Sequence, residues 1–335
     1  MSGRIIILVN TGTPDAPRRR HVARYLSQFL GNRRVIDMPW LLRKLLVNLV
    51  IVPFRALASA RRYKKVWTPD GSPLQYNLAR LVEKVQRLLP PADMAVGAMN
   101  CGNPSIGNVL EDVRKMSPDK IVVFPLFPHY ASSTVGSIYE NIMRTVSRWE
   151  MIPEVHFTGP FYQHPSYIAA ISERIRENDT GNYDHILFSY HGLPLRCLQK
   201  ATPGANCMQC RLSGNFPPGC NRCYRMHCYR TTAFIAGSLG LREGAYSTAF
   251  QSRFSRKWTE PFTDTVLTKL PRTDKRNVLI VSPSFVADCL ETTVELGEEY
   301  KEVFLSAGGR NLDVVTSLND SDRWAGGIVD IIGVE

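Results

Sequence analysis

The chain lacks a run long enough to cross a membrane. Residues 38–60 come nearest, but Arg43, Lys44 and Arg55 interrupt them and Pro53 breaks them. The uncharged part, residues 45–54, is well short of the roughly 20 residues a spanning helix needs. Such a basic, aromatic-containing apolar segment reads instead as a core helix, the lip of an apolar pocket, or an element that lies on a membrane surface. No secretory leader is expected, because residues 5–9 are too short for its apolar core and run straight into a polar turn. Eight cysteines without a leader point to a reducing, cytoplasmic setting in which disulfides are disfavoured. Two nucleotide fingerprints are also missing. There is no G-x-G-x-x-G after a strand and no G-x-x-x-x-G-K-[ST], so dinucleotide and P-loop readings have no support. Acidic residues are in short supply: 30 against 41 Lys and Arg, a formal charge of +11. That excess suits an anionic partner such as nucleic acid, a phospholipid headgroup or a small polycarboxylate.

What is present is organised around residues 185–194, HILFSYHGLP. Ile186, Leu187 and Phe188 form the apolar run of a buried parallel strand. His191-Gly192-Leu193-Pro194 then turns the chain sharply, since glycine admits unusual dihedrals and proline ends the ladder. A strand that stops on an imidazole places that ring at the carboxyl edge of a sheet, where open α/β folds bind ligands. A histidine bonded inside a structural turn is the plainer alternative.

Along the chain, strands are expected at 5–9, 94–99, 120–127, 185–190, 245–251 and 277–281. Helices are expected at 20–28, 40–49, 78–89, 105–115, 132–149, 167–177, 263–270 and 291–305, with Ser105 capping its helix and a link near 151–160. Strands alternating with helices argue for parallel sheets. The pattern also repeats. IIILVNTGTP aligns with HILFSYHGLP, pairing Thr11 with His191, and residues 119–136 align with 275–295. Two similar α/β halves are expected: 1–155, carrying the apolar lip 38–60, and 156–315, carrying a cysteine-rich insertion at 197–228. Residues 316–335 form a C-terminal segment that returns to the first half.

Two constellations carry chemistry. In DCLETTVELGEE, Asp288, Glu291, Glu295 and Glu298 recur at spacings of three, four and three, which lines four carboxylates along an α-helix. Like charges on one face do not stabilise a helix; a solvated acidic face is the plain reading. A histidine facing such a row takes up protons or holds a divalent metal. The second constellation is Cys207-x2-Cys210-x9-Cys220-x2-Cys223, with Cys197 and Cys228 flanking. Two CxxC pairs on Gly- and Pro-rich loops gather four thiolates around zinc or an iron–sulfur centre, and spacing does not distinguish the two.

The motifs LVNTGTP, FPLFPHYASST, FSYHGLP, FQSRFSRKW and FVADCLETTVELGEEY followed by Gly308-Gly309 resemble those of the ferrochelatases, in order from residue 4 to about 310. The resemblance implies two Rossmann-like halves, with parallel sheets flanked by helices around a porphyrin cleft. It implies a lyase that inserts ferrous iron into protoporphyrin IX, giving protohaem in the terminal step of haem biosynthesis. It makes His191 the active-site histidine and Glu291 the carboxylate opposite, both as iron contacts, with Glu295 and Asp288 as a proton path leading away. Thr11, Tyr130 and Trp258 become porphyrin-facing residues. Cys289 is a departure, standing where some members carry histidine. Some members hold a 2Fe–2S cluster near the C-terminus, an arrangement excluded here because no cysteine follows Cys289. The resemblance favours a 2Fe–2S cluster over zinc on Cys207, Cys210, Cys220 and Cys223, with Cys197 as substitute. It also implies peripheral contact with the inner membrane through residues 38–60, and no nucleic-acid partner. The competing readings are a chelatase for coproporphyrin or for cobalt and another tetrapyrrole, and a zinc-knuckle protein binding nucleic acid.

Overall fold

The first apolar run becomes the central strand of a sheet. In the computed structural model, which describes residues 3–202 and 220–333, strand β1 (Arg4–Gly12) is buried along almost its whole length. It lies between β2 (Met94–Cys101) and β3 (Lys120–Pro125), and β4 (Glu154–Phe157) completes a parallel sheet of order β2-β1-β3-β4. Ile5, Ile7, Val9, Ile121 and Val123 pack against Ile106, Leu110, Ile138 and Ile142 of covering helices. Burial on both faces is why these strands read as continuous apolar runs.

A second sheet is built the same way. Its strands are β5 (His185–His191), β6 (Tyr246–Gln251), β7 (Asn277–Val281) and β8 (Asn311–Val314), all parallel and ordered β6-β5-β7-β8. The aligned motifs therefore occupy matching places, β1 with β5 and β3 with β7. Both halves are Rossmann-like: parallel sheets flanked by helices. Contacts divide the chain into one unit of residues 1–159 and 319–335 and another of residues 160–318. In the first, the C-terminal helix Asp322–Ile332 lies on the helix Pro73–Leu88, and Lys84 pairs with Asp322 at 3.0 Å and Asp320 at 3.5 Å.

Three local expectations are corrected. Residues 154–157 are an edge strand rather than part of a link; its half-polar sequence, EVHF, gave no apolar run to read. Pro53 does not break the helical stretch. Residues 40–66 remain helical because a π turn at Leu46–Ile51 precedes it and Pro53 falls in the first turn of Val52–Val66, where a missing N–H costs little. Finally, Glu291–Tyr300 is π-helical, and Asp288 precedes it outside the helix. The wider i→i+5 turn leaves Glu291 and Glu295 half-buried and turns Glu298 to solvent, so the straight row of four carboxylates does not form. Among the described residues no helix is long and apolar enough to cross a membrane.

Candidate active site

The site grows from the end of β5. His191 is the last residue of that strand, opposite Gln251 at the end of β6. Its backbone N–H donates to Ser284 Oγ at 3.0 Å, and its carbonyl accepts from the Tyr224 hydroxyl at 2.8 Å. The side-chain Nδ1 lies 2.8 Å from the Gly192 carbonyl oxygen. A carbonyl only accepts, so in this contact Nδ1 carries the proton. The neutral ring then keeps the Nε2 lone pair for a proton or a metal. Phe285 meets the imidazole edge to face, ring centres 6.1 Å apart.

The turn after His191 explains its glycine. A Cβ at Gly192 would sit 2.7 Å from the Gln251 carbonyl oxygen, closer than a real Cβ approaches backbone. Gly192 N–H donates to that same oxygen at 2.8 Å. Beyond it, Leu193 and Leu195 bond residues 257–259, and Pro194 bridges to Trp258. This pairing brings Trp258 Cε3 within 3.4 Å of the same Cβ position, so Trp258 stands beside the histidine turn. Its ring also meets the exposed Phe254.

Glu295 is fixed from two sides. Ser252 Oγ donates to Oε2 at 2.7 Å, and the Tyr300 hydroxyl donates to Oε1 at 3.1 Å. Ser252 takes a left-handed backbone, φ 63°, directly after β6, and its own N–H donates to Tyr300 Oη. Burial pushes the Glu295 carboxyl above its ordinary range. The negative charge of Glu291 adds to this, while the Ser252 and Tyr300 hydroxyls and the charge of His191 oppose it. Asp288 is engaged elsewhere, accepting from Thr292 Oγ1 at 3.2 Å and from Ser317 N–H at 3.1 Å. Next to it, burial followed by the Glu291 charge pushes the Cys289 thiol well up. Ser252, Tyr300, Ser284 and Tyr224 were not singled out in sequence. Ser252 and Tyr300 do fall within the FQSRFSRKW and GEEY motifs.

The other sequence-expected residues lie in the first unit. Thr11 is the penultimate residue of β1 and donates its N–H to Asn10 Oδ1 at 2.8 Å. Gly12 follows at φ 115°, with no room for a Cβ against the Cys101 carbonyl. The Tyr130 hydroxyl lies 2.9 Å, and Arg34 Nη1 3.3 Å, from the Cβ position of Gly136. Arg34 Nη1 donates to Ser132 Oγ at 2.9 Å, and Arg33 pairs with Glu140 at 2.9 Å. Burial opposes ionisation of Glu140, but Arg34 and Arg33 outweigh it and hold the carboxyl below its ordinary range.

Among the cysteines, Cys207 and Cys210 lie outside the described residues. Cys220 and Cys223 are buried beside Met226; Cys220 opens a short 3-10 turn, Cys220–Arg222, and Cys223 follows it, its N–H on the Cys220 carbonyl at 2.8 Å. Cys197 is half-buried in the helix Leu195–Ala201. Among the described residues no three His, Cys, Asp or Glu side chains converge closely enough to hold a metal ion.

The fold, two four-stranded parallel sheets flanked by helices, is shared with solved chelatases. The chain superposes on SirB from Bacillus subtilis with Fe3+ at a TM-score of 0.55, with 13% identity, covering 98% of this chain and 94% of that one. The sirohydrochlorin chelatase SirB from Bacillus subtilis subspecies spizizenii, in complex with cobalt, gives 0.53 at 12% identity, covering 98% and 94%. These likenesses define the fold. A family model described as ferrochelatase matches residues 4–334. The ferrochelatase of Pseudomonas paraeruginosa is 37% identical over 336 residues, covering 99% of this chain and 98% of that protein. That of Pseudomonas putida is 37% identical over 340 residues, covering 99% of each. The chain belongs to the ferrochelatase family, and the family's substrates are ferrous iron and a porphyrin.

Proposed function

We propose that this chain inserts ferrous iron into protoporphyrin IX to form protohaem, the terminal step of haem biosynthesis and a lyase reaction. One observation carries the reading within its family: His191 ends β5 with Nδ1–H held by the Gly192 carbonyl, leaving Nε2 as the acceptor.

Two pyrrole N–H protons leave the macrocycle as iron enters. His191 Nε2 accepts a pyrrole proton or presents iron to the ring nitrogens, and Glu291 contacts the incoming metal. Protons then pass to Glu295, whose raised proton affinity suits a carboxylate that must take up a proton. Asp288 stands last in this path, and its bonds to Thr292 and Ser317 fit a supporting role. A bent macrocycle exposes its nitrogen lone pairs, and apolar contacts away from the metal supply the distortion. Trp258, Thr11 and Tyr130 face the ring. Arg34, beside the Tyr130 hydroxyl, suits the propionates.

The apolar side chains at 38–60 lean toward protoporphyrin over the more polar coproporphyrin. Trp40, Leu49 and Phe54 are 63, 66 and 80% exposed there, with Lys44 and Arg55 among them. That surface supports peripheral contact of a cytoplasmic enzyme with the inner membrane. Cys207, Cys210, Cys220 and Cys223 are the proposed holders of a 2Fe–2S centre, with Cys197 as substitute and zinc as the alternative occupant. The paired, buried thiols of Cys220 and Cys223 suit either; such a centre ties the segment together and, if iron–sulfur, adds a redox group.

The test is an anaerobic absorbance assay with protoporphyrin and ferrous iron. Wild type consumes the free-porphyrin bands, while His191→Ala binds porphyrin and leaves them unchanged. Turnover by His191→Ala rejects the role of His191. Inactivity of both proteins, with turnover on coproporphyrin or with cobalt, assigns a different chelatase.

A further inference from the structure

His191 is held by more than its strand. Its N–H donates to Ser284 Oγ at 3.0 Å, and its carbonyl accepts from the Tyr224 hydroxyl at 2.8 Å. Two hydroxyls thus hold the backbone of one residue, one accepting from its N–H and the other donating to its carbonyl. The three residues come from separate places: the end of β5, the first residue of the helix Tyr224–Leu239, and the turn after β7. Ser284 is only 7% exposed and Tyr224 only 6%, so water does not readily replace a lost partner.

The Tyr224 bond acts on the carbonyl side of His191, and the next carbonyl, that of Gly192, anchors Nδ1–H. Gly192 is fixed in turn through its N–H on the Gln251 carbonyl. The 191–192 peptide, which leads into the carbonyl that sets the tautomer, is thus clamped at both ends. We infer that Tyr224 and Ser284 are positioning residues for His191: their hydroxyls hold the 191–192 peptide so that the carbonyl that follows it, that of Gly192, keeps Nδ1 protonated and the Nε2 lone pair free. The inference rests on the reading of His191 as the proton acceptor. A hydroxyl pair that merely fills the core would have no effect on imidazole tautomer.

The test compares full-length wild type with Tyr224→Phe and Ser284→Ala. Tyr190→Phe serves as a matched control, because it also removes a buried hydroxyl, one bonded to Thr232 and not to His191. Iron insertion gives kcat and KM for protoporphyrin. Nitrogen-15 resonances of the imidazole, assigned by their loss in His191→Ala, give the tautomer at a pH where the ring is neutral. Tyr224→Phe and Ser284→Ala are expected to lower kcat roughly ten- to a hundredfold through mispositioning, with KM unchanged. They also convert a single Nδ1–H tautomer into a mixture, while Tyr190→Phe matches wild type in both readouts. A wild-type tautomer in both variants overturns the inference, as does an equal kcat loss in Tyr190→Phe. If Tyr224→Phe does not fold, Ser284→Ala decides alone. Turnover by His191→Ala would instead reject the acceptor role, and the tautomer readout would still judge the clamp.

Discussion

Ser252 and Glu295, 43 residues apart in sequence, meet through a 2.7 Å hydrogen bond in which the serine hydroxyl donates to the carboxylate. The contact requires Ser252 to leave β6 in a left-handed conformation, uncommon for a residue with a side chain. It favours the charged carboxylate in a place where burial and Glu291 oppose charge.

Removing that hydroxyl therefore moves the Glu295 titration in a defined direction. Ser252→Ala removes a bond to the ionised form, so the proton is held to higher pH. A relay that must start as a carboxylate then becomes competent only at higher pH. The acid limb of the kcat profile is expected to move upward by about one pH unit, the worth of a hydrogen bond to a charged group. An unmoved limb would separate Glu295 from the rate-determining proton transfer.

Gly192→Ala tests the turn itself. The added Cβ would meet the Gln251 carbonyl oxygen at 2.7 Å, and backbone on both sides is tied into the sheet. Relief has to come from moving the 191–193 turn, which carries both the Nδ1 anchor and the pairing that seats Trp258. Activity is expected to fall at least about a hundredfold, since misplacement near 1 Å costs that much, together with a lower urea midpoint. Wild-type turnover would show that the turn yields without disturbing His191.

The central strands were legible because both of their faces are buried, which leaves apolar runs such as IIILV and HILF. The edge strands β4 and β8, EVHF and NLDV, are short and half-polar, so no pattern set them apart from loops. The twofold repetition followed from matching β1 with β5, and the sheet orders agree with it. The acidic segment was misread in shape because α-helical spacing was applied to a π-helix. His191 stood out through its strand-end position. Its supports, Ser284 and Tyr224, lie 93 and 33 residues away, and local periodicity carries no trace of such pairings.

At the other end of β5, His185 makes a pH-dependent contribution to stability. Its ring lies between Ser247 Oγ at 2.8 Å and the Lys275 ammonium at 3.1 Å. Burial and, next, the Lys275 charge bring the imidazole down from 6.5 to about 4. The folded protein keeps this ring neutral where the unfolded chain protonates it. Stability is thus complete above 6.5 and declines as pH falls toward 4. Linkage puts the full loss at about 3 kcal/mol, with about 2 kcal/mol of it between pH 7 and pH 5. Urea unfolding at those two pH values should show the loss in wild type and a smaller one in His185→Gln. Equal losses in both proteins would place the acid sensitivity at other groups.

The cysteine segment gives an optical prediction that does not depend on turnover. Cys220 and Cys223 present two buried thiols within a single turn, so a tetrathiolate centre needs one further pair, and Cys207 with Cys210 supplies it in sequence. Thiolates bind metal only after losing their protons, and low pH should therefore release the centre. Anaerobically purified wild type is expected to be brown, with visible charge-transfer bands and two iron atoms per chain, as the proposed 2Fe–2S stoichiometry requires. Cys220→Ser and Cys223→Ser should lose the bands and the iron together. Cys228→Ser should keep them, because Cys228 lies inside the helix Tyr224–Leu239 and is fully buried there. A colourless wild type with one zinc per chain would assign zinc to the segment. Bands that survive both Cys220→Ser and Cys223→Ser would shift ligation to other cysteines, beginning with Cys197.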